Sequence, residues 1–378
     1  TDDMKLVTII GARPQIIKAS AFSRAIKNHY SDKIEEVIVH TGQHYDENMS
    51  EVFFTELNIP APKYNLAVGS GKHGEQTAKM IERLEEVFEK EQPAAVILYG
   101  DTNSTLAGAV AASKMLIPVV HIEAGLRSFD KAMPEEINRI LCDHVSTLLF
   151  SPTRTGYENL VNEGFSTQLQ EKPTANKPNI YHCGDIMYDN TLFFSSKADS
   201  VAEKFDLPKE GFVLCTIHRN SNTDDKDRLK SIFDSIVAIS SFKKIILPLH
   251  PRTKKMMPLM LGEAYAKTVE ENPNIQIIEP VSFLGMIYLE KNSDLILTDS
   301  GGVQKEAYYL NKPAVILRPQ TEWKEIVDCG NAAICDADFD LIVSKAKQYL
   351  DCPPKEFPEI FGDGNAAKFM CKTILECL

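Results

Sequence analysis

A chain of 378 residues is too long for one ordinary core and comfortable for two domains. With 43% hydrophobic and 25% charged residues it reads as a folded globular protein, and a formal net charge of -12 opposes DNA or RNA as a partner, because phosphate backbones demand a basic footprint. No stretch approaches the roughly 20 apolar residues that span a bilayer, and the opening "TDDMKLVTIIGARP" lacks the basic and long apolar regions of a signal peptide, so the expectation is a cytoplasmic protein without a membrane partner.

Short β-branched runs alternate with helical patterns from the start. "KLVTII" is followed by a helix from about Pro14, then come "EEVIVH", helices near Glu47 and Gln76, "AAVILYG", the helical "STLAGAVAASKM" and "IPVVHI". Nearly continuous apolar strands are what a parallel sheet covered on both faces requires, so this half predicts a doubly wound α/β domain. Residues 166–178, "STQLQEKPTANKP", have no apolar period and predict a surface loop. After "NIYHCG" and a helix to about Ser196, a second βα series runs through "FVLCTIH", "KKIILPLH", "NIQIIEP", "DLILTDSGG" and "PAVILRP". The expected division is 1–185 and 186–363, two Rossmann-like domains, with a last helix at 364–378 that could pack on either, the first being preferred.

In such sheets ligands bind beyond the carboxyl ends of the strands. After the first strand, Gly11-Ala12-Arg13-Pro14 with Lys18 one turn on makes an anion site; an ordinary βα turn with surface cations explains it equally well. After "AAVILYG", Asp101-Thr102-Asn103 is read at least as well as a helix cap. Ser300-Gly301-Gly302, with Gln304 and Glu306 in the following helix, lets the backbone approach a diphosphate, while Glu306 could accept from ribose hydroxyls. Neither "GK[ST]" nor G-x-G-x-x-G is present there, which removes weight from ATP and NAD. Two strands of the second series end in His218-Arg219 and His250-Pro251-Arg252, a pairing hard to dismiss as structural.

Metal is not expected: the eight cysteines are scattered without a C-x-x-C, and a Thr-Gly turn separates His40 from His44. Sequons at Asn48 and Asn103 have no meaning in a cytoplasmic chain. The densest stretch is "HIEAGLRSFDKAMPEEINRIL", residues 121–141. Pro134, Glu135 and Glu136 suit a first helical turn, and Glu135, Asn138 and Arg139 share one face. Capping does not account for Glu123 and Arg127, which are expected to project into one crevice from the end of the preceding strand. Carboxylates with Arg and His around a diphosphate site suggest proton transfer on a sugar attached to a nucleotide.

With these residues assembled, the chain resembles the non-hydrolysing UDP-N-acetylglucosamine 2-epimerases over essentially its whole length, through "GARPQIIK", "TGQHYDENM", "YGDTNST", "HIEAGLRS", "PEEINR", "LPLHPR" and "LTDSGGVQKEA". The resemblance implies a two-lobe glycosyltransferase-B architecture with the site between the lobes, a UDP-sugar substrate, no redox or other cofactor, and a homodimer. It implies that Asp101, Glu123 and Glu135 are the acid/base carboxylates, with His218 near the phosphate or sugar. Arg13, Lys18, Ser300, Gly301 and Gly302 would hold the diphosphate, Glu306 the ribose, and Arg139 the phosphate or sugar, with Gln43 and His250 also lining the substrate. Two departures, "IHRNSN" for "GHRREN" and "TEW" for "TERPE", point to the branch acting on UDP-2,3-diacetamido-2,3-dideoxyglucuronic acid and leave the C3 and C6 substituents open. Allosteric activation by UDP-N-acetylglucosamine, which many bacterial members carry out through a Gln-x-x-Gln pair, is expected to be weak or absent, since Gln43 is followed here by Asp46. On the residues alone, a glycosyltransferase of the same architecture, which would leave C2 untouched, is the competing reading.

Overall fold

The computed structural model describes residues 3–44 and 51–378. The helix expected near Glu47, the sequon at Asn48 and the Asp46 position lie outside these residues. The chain divides into two compact units, Thr1–Asn190 with Ile360–Leu378, and Thr191–Glu359.

The first unit is built on seven strands: β1 (Met4–Ile10), β2 (Ile34–His40), β3 (Tyr64–Asn65), β4 (Ala95–Tyr99), β5 (Val119–Ile122), β6 (Leu148–Ser151) and β7 (Asn179–His182). They lie in the order β3-β2-β1-β4-β5-β6-β7 with every pairing parallel. Val7 faces Val37 on one side and Val96 on the other, so the apolar runs stack in register. Helices bury the sheet. The helix His73–Glu91 turns Met80, Leu84, Val87 and Phe88 inward at three- and four-residue spacing, and stops where Gln92 takes a left-handed conformation and donates its N–H to the Phe88 carbonyl. The helix Asn103–Lys114 is rich in small residues for a reason. A Cβ on Gly108 would stand 2.5 Å from a Leu98 methyl and 2.8 Å from one of Ile9, so the bare backbone is what lets this helix lie close on β1 and β4.

The second unit repeats the plan with β8 (Val213–Thr216), β9 (Ile245–Pro248), β10 (Ile275–Ile278), β11 (Leu295–Thr298), β12 (Ala314–Ile316) and β13 (Ala332–Ile334), in the order β10-β9-β8-β11-β12-β13 and again parallel. Its core joins Leu229, Phe233, Ile236 and Ile239 of the helix Lys226–Ser240 to the strands. Both sheets therefore show the doubly wound α/β order 3-2-1-4-5-6, the first extended by one strand. Residues 166–178 form the irregular loop that their composition predicts.

The returning segment, Ile360–Leu378, is fastened to the first unit by polar contacts and by close backbone approach. The helix Ala366–Cys377 packs on the helix Arg13–Ala25, and its first amides donate to the carboxylate of Asp189, Ala366 N at 3.1 Å and Ala367 N at 2.8 Å. Burial pushes the Asp189 carboxyl up to about 7 against the pull of those amides. Beside it Asp185 N donates to the Phe361 carbonyl at 2.9 Å, and Gly184, at φ +89, faces Gly362. A Cβ on Gly184 would meet the Phe361 oxygen at 2.7 Å and the Gly362 Cα at 2.9 Å, backbone atoms that cannot swing aside. Gly184→Ala is expected to destabilise the protein by about 3 kcal/mol, the sum of left-handed strain and overpacking, read as a lower urea midpoint at unchanged slope.

Candidate active site

In each sheet the first and fourth strands are neighbours, the place where doubly wound folds open a crevice at their carboxyl ends. In the first unit β1 ends at Gly11, whose missing side chain is required: a Cβ would lie 2.2 Å from Ser104 Oγ. The Gly11 amide donates to Gln15 Oε1 at 2.8 Å, and Gln15 Nε2 donates to the Tyr99 carbonyl and to Thr102 Oγ1, both at 2.9 Å. One carboxamide thus ties the first turn to the fourth strand. Arg13 and Pro14 open the helix Arg13–Ala25, and Lys18 on its second turn reaches Glu123, Nζ to Oε1 2.6 Å. Burial alone would discharge the ammonium, but Glu123, with Asp101 and Asp185, raises its pKa.

Beyond β4, the cap of the helix Asn103–Lys114 is Thr102, in a reciprocal box with Thr105. Capping therefore does not consume Asp101. Its carboxylate takes Arg139 Nη1 at 2.8 Å, while its carbonyl accepts from Asn138 Nδ2 at 2.9 Å. Beyond β5, Glu123 sits at φ +74, a left-handed backbone that a non-glycine residue adopts at a cost of about 1–3 kcal/mol. Such a conformation is a recurrent mark of functional turns.

The helix Pro134–Val145 supplies Arg139, which also pairs with Glu136 at 3.2 Å. Glu136 is buried, and besides that pairing it accepts the amides of Ser128 at 3.0 Å and Phe129 at 2.6 Å, closing the turn between β5 and the helix. Glu135 is exposed on the first turn and has no ion-pair partner among the described residues. Gln43 is buried, its Oε1 accepting from the amide and hydroxyl of Ser104 at 3.0 and 2.6 Å. Arg127, expected beside Glu123 in one crevice, instead turns inward. Its guanidinium is 1% exposed, 2.8 Å from both Asp143 and Glu163, because the interior already holds the Asp143 carboxylate that needs a cation.

In the second unit, His218 follows β8, His250 follows β9 and Ser300 follows β11, three adjacent strands. The two imidazole rings lie 5.7 Å apart. Between their strands and β11 stands Asp299, which sequence reasoning passed over as the tail of "LILTD". It is fully buried and accepts from the His218 amide at 3.1 Å, the Arg219 amide at 3.0 Å and Asn222 Nδ2 at 3.0 Å, with His218 Nδ1 at 3.1 Å. His250 caps the helix Pro251–Leu261, its Nδ1 accepting the Arg252 amide, and burial with the neighbouring His218 lowers its pKa. Ser300 caps the helix Gly301–Tyr309, leaving Gly301 and Gly302 in its first turn. Trp323 of the "TEW" departure donates its indole N–H to the Gly301 carbonyl at 3.1 Å, under the Lys305 ammonium 4.1 Å from its ring. Beside Glu306 lies the wholly buried Glu290, and burial pushes both carboxyls up.

Burial opposes the charge on Asp299, yet His218, the Arg219 amide and Asn222 hold its pKa below the ordinary 3.8. The stability it contributes is therefore present above that ordinary value and lost as pH falls through its own lower one. As pH falls below about 5 the wild-type urea midpoint should drop more steeply than that of Asp299→Asn, which at neutral pH should itself be about 2–3 kcal/mol less stable.

The family described as UDP-N-acetylglucosamine 2-epimerase matches residues 25–375. A Pseudomonas aeruginosa protein named UDP-2,3-diacetamido-2,3-dideoxy-D-glucuronate 2-epimerase is 48% identical, covering 96% of this chain and 97% of its own. A Methanocaldococcus jannaschii UDP-N-acetylglucosamine 2-epimerase is 44% identical with 97% of each covered, and the crystal structure of the enzyme from that organism in complex with UDP-GlcNAc and UDP superposes with a TM-score of 0.78 at 42% identity, over 98% of this chain and 99% of that one. The Neisseria meningitidis enzyme bound to UDP-GlcNAc gives 0.80 at 28% identity, over 99% of this chain and all of the other. With a match across most of its length and relatives well above 30% identity, the chain belongs to the UDP-N-acetylglucosamine 2-epimerase family and is, with it, an isomerase.

Proposed function

We propose that the chain interconverts UDP-N-acetylglucosamine and UDP-N-acetylmannosamine by inverting C2. The observation that carries the reading is the set of charges at consecutive strand ends of the first unit: Asp101 beyond β4, held by Arg139, and Glu123 beyond β5, held by Lys18, with Glu135 exposed nearby in sequence. A C2–H bond is barely acidic, so inversion goes through elimination. A carboxylate takes the C2 proton as the C1–O bond to UDP breaks, leaving a 2-acetamidoglucal and UDP. A second carboxylate then delivers a proton to the opposite face of C2, and the diphosphate oxygen closes on C1. Two faces require two proton-handling groups, which Asp101, Glu123 and Glu135 supply.

The leaving diphosphate needs cations and N–H donors. Arg13 and Lys18 in the first unit, and Ser300, Gly301 and Gly302 at a helix start in the second, are of the kind that meets this need, with His218 and His250 at neighbouring strand ends and Glu306 suited to ribose hydroxyls. No cofactor enters the scheme, since one proton is lost and one gained while UDP leaves and returns, with no net change in oxidation state.

A second reading for the sugar, UDP-2,3-diacetamido-2,3-dideoxyglucuronic acid, is favoured by the 48% identical Pseudomonas relative that bears this substrate in its name. The two separate by proton NMR in D2O, one tube for each sugar. The expected outcome is loss of the H2 signal and growth of a manno-configured product, and the faster tube names the substrate. Asp101→Asn and Glu123→Gln should each slow that exchange by about 100- to 10,000-fold. UDP binding without exchange in either tube would leave a transferase or a sensor instead.

The chain is further proposed to form a homodimer. Met133, just before the helix Pro134–Val145, and Ile137 and Leu141 within it recur every four residues and are 39%, 42% and 48% exposed, a stripe that a second copy would cover. Light scattering should return twice the 42.3 kDa chain mass, reduced to a single chain by Ile137→Asp; a wild-type monomer would end the idea.

A further inference from the structure

His121, on β5 two residues before Glu123, is 0% exposed and bonded from both ring nitrogens. Nε2 lies 2.8 Å from the Gly100 carbonyl oxygen, and Nδ1 lies 2.5 Å from Asp143 Oδ1. A carbonyl only accepts, so Nε2 carries a proton. Asp143 is ionised: its other oxygen accepts the Gly125 amide at 3.0 Å and faces the Arg127 guanidinium at 2.8 Å, so Nδ1 donates as well. A ring that donates from both nitrogens is an imidazolium. The surroundings agree. Burial alone would discharge the ring, but its neighbours Cys142 and Asp143 outweigh burial and raise its pKa well above the ordinary value. Arg127 shares its charge with Glu163, which also takes His144 at 2.8 Å, so the buried cations His121 and Arg127 are matched by Asp143 and Glu163.

What this cation holds is the pair of turns that carry the acid/base carboxylates. The Gly100 oxygen belongs to the same peptide plane as the Asp101 nitrogen, and Gly100 stands at φ +65, a conformation that glycine takes without strain. Gly125, at φ +83, is two residues past Glu123 and hangs from Asp143. We propose that His121 is a positioning residue, whose imidazolium pins the Gly100–Asp101 peptide directly and the Gly125 turn through Asp143, so that one buried cation sets the placement of both Asp101 and Glu123. The proposal rests on the C2-epimerase reading. A histidine serving only as packing would need neither protons on both nitrogens nor a link to two separate turns.

The test has two arms. In protein labelled with 15N-histidine, the two-bond proton–nitrogen correlations of His121, assigned by their loss in His121→Gln, should show both nitrogens protonated at about pH 8.5, two pH units above the ordinary histidine value. A neutral tautomer there overturns the proposal. In the second arm His121→Gln, which keeps an amide donor but no charge, should lower kcat for H2 exchange by about 100-fold with KM little changed, and should shift the Asp101 backbone amide signal. A folded variant with wild-type kcat would show a merely structural role, and if the variant does not fold, the protonation of the ring in the wild-type protein decides the claim. If the wild-type chain exchanges no H2, the epimerase reading fails, and the ring charge and the Asp101 amide shift decide the positioning claim by themselves.

Discussion

A parallel sheet buried on both faces can present charge only where its strands end, and that constraint organises everything else in this protein. Along β1, β4 and β5 most side chains are apolar. Within three residues of their carboxyl ends come Arg13, Asp101 and Glu123. The second unit repeats the arrangement with His218, His250 and Ser300. Strand order then matters more than chain order, because it decides which ends are neighbours. Residues some 90 positions apart, such as Gln15 and Thr105 at 3.2 Å, share one site because β1 lies beside β4.

Charges gathered this way must each be answered nearby. Lys18 answers Glu123, Arg139 answers Asp101 and Glu136 together, and behind them Arg127 and His121 answer Asp143 and Glu163. The outer pairs are partly open to solvent, whereas His121, Arg127 and Asp143 are closed off from it. The second unit uses a similar division of labour, with a fully buried Asp299 holding the His218 turn and a buried Glu290 behind Glu306.

Much of this was legible in the sequence. The α/β alternation, the two doubly wound sheets and the loop at 166–178 follow from apolar runs and turn residues, and the charged strand ends follow from the rule that such folds work there. What was not legible was either too short or too ambiguous. β3 spans two residues and β13 three, below any period. Asp101 read equally as a cap until Thr102 proved to do the capping. Arg127 and Glu123 look alike in "HIEAGLRS", and only the buried Asp143, a full helix away in sequence, separates the inward side chain from the one that meets Lys18. His121 was hidden for the same reason: its role depends on a carbonyl at Gly100 that no side-chain pattern reports.

The close approach of Gly184 to Gly362 has a consequence for the order in which the protein is made. The second unit is a continuous insert whose last residue, Glu359, emerges before the segment that completes the first unit. The earlier-made domain must therefore wait for the later-made one. During synthesis the first sheet stands without the helix Ala366–Cys377 over Arg13–Ala25, with the Asp189 carboxylate lacking its amide donors and the bare strip at Gly184 uncovered. The docking of Ile360–Leu378 across those two glycines therefore follows the synthesis of the whole insert.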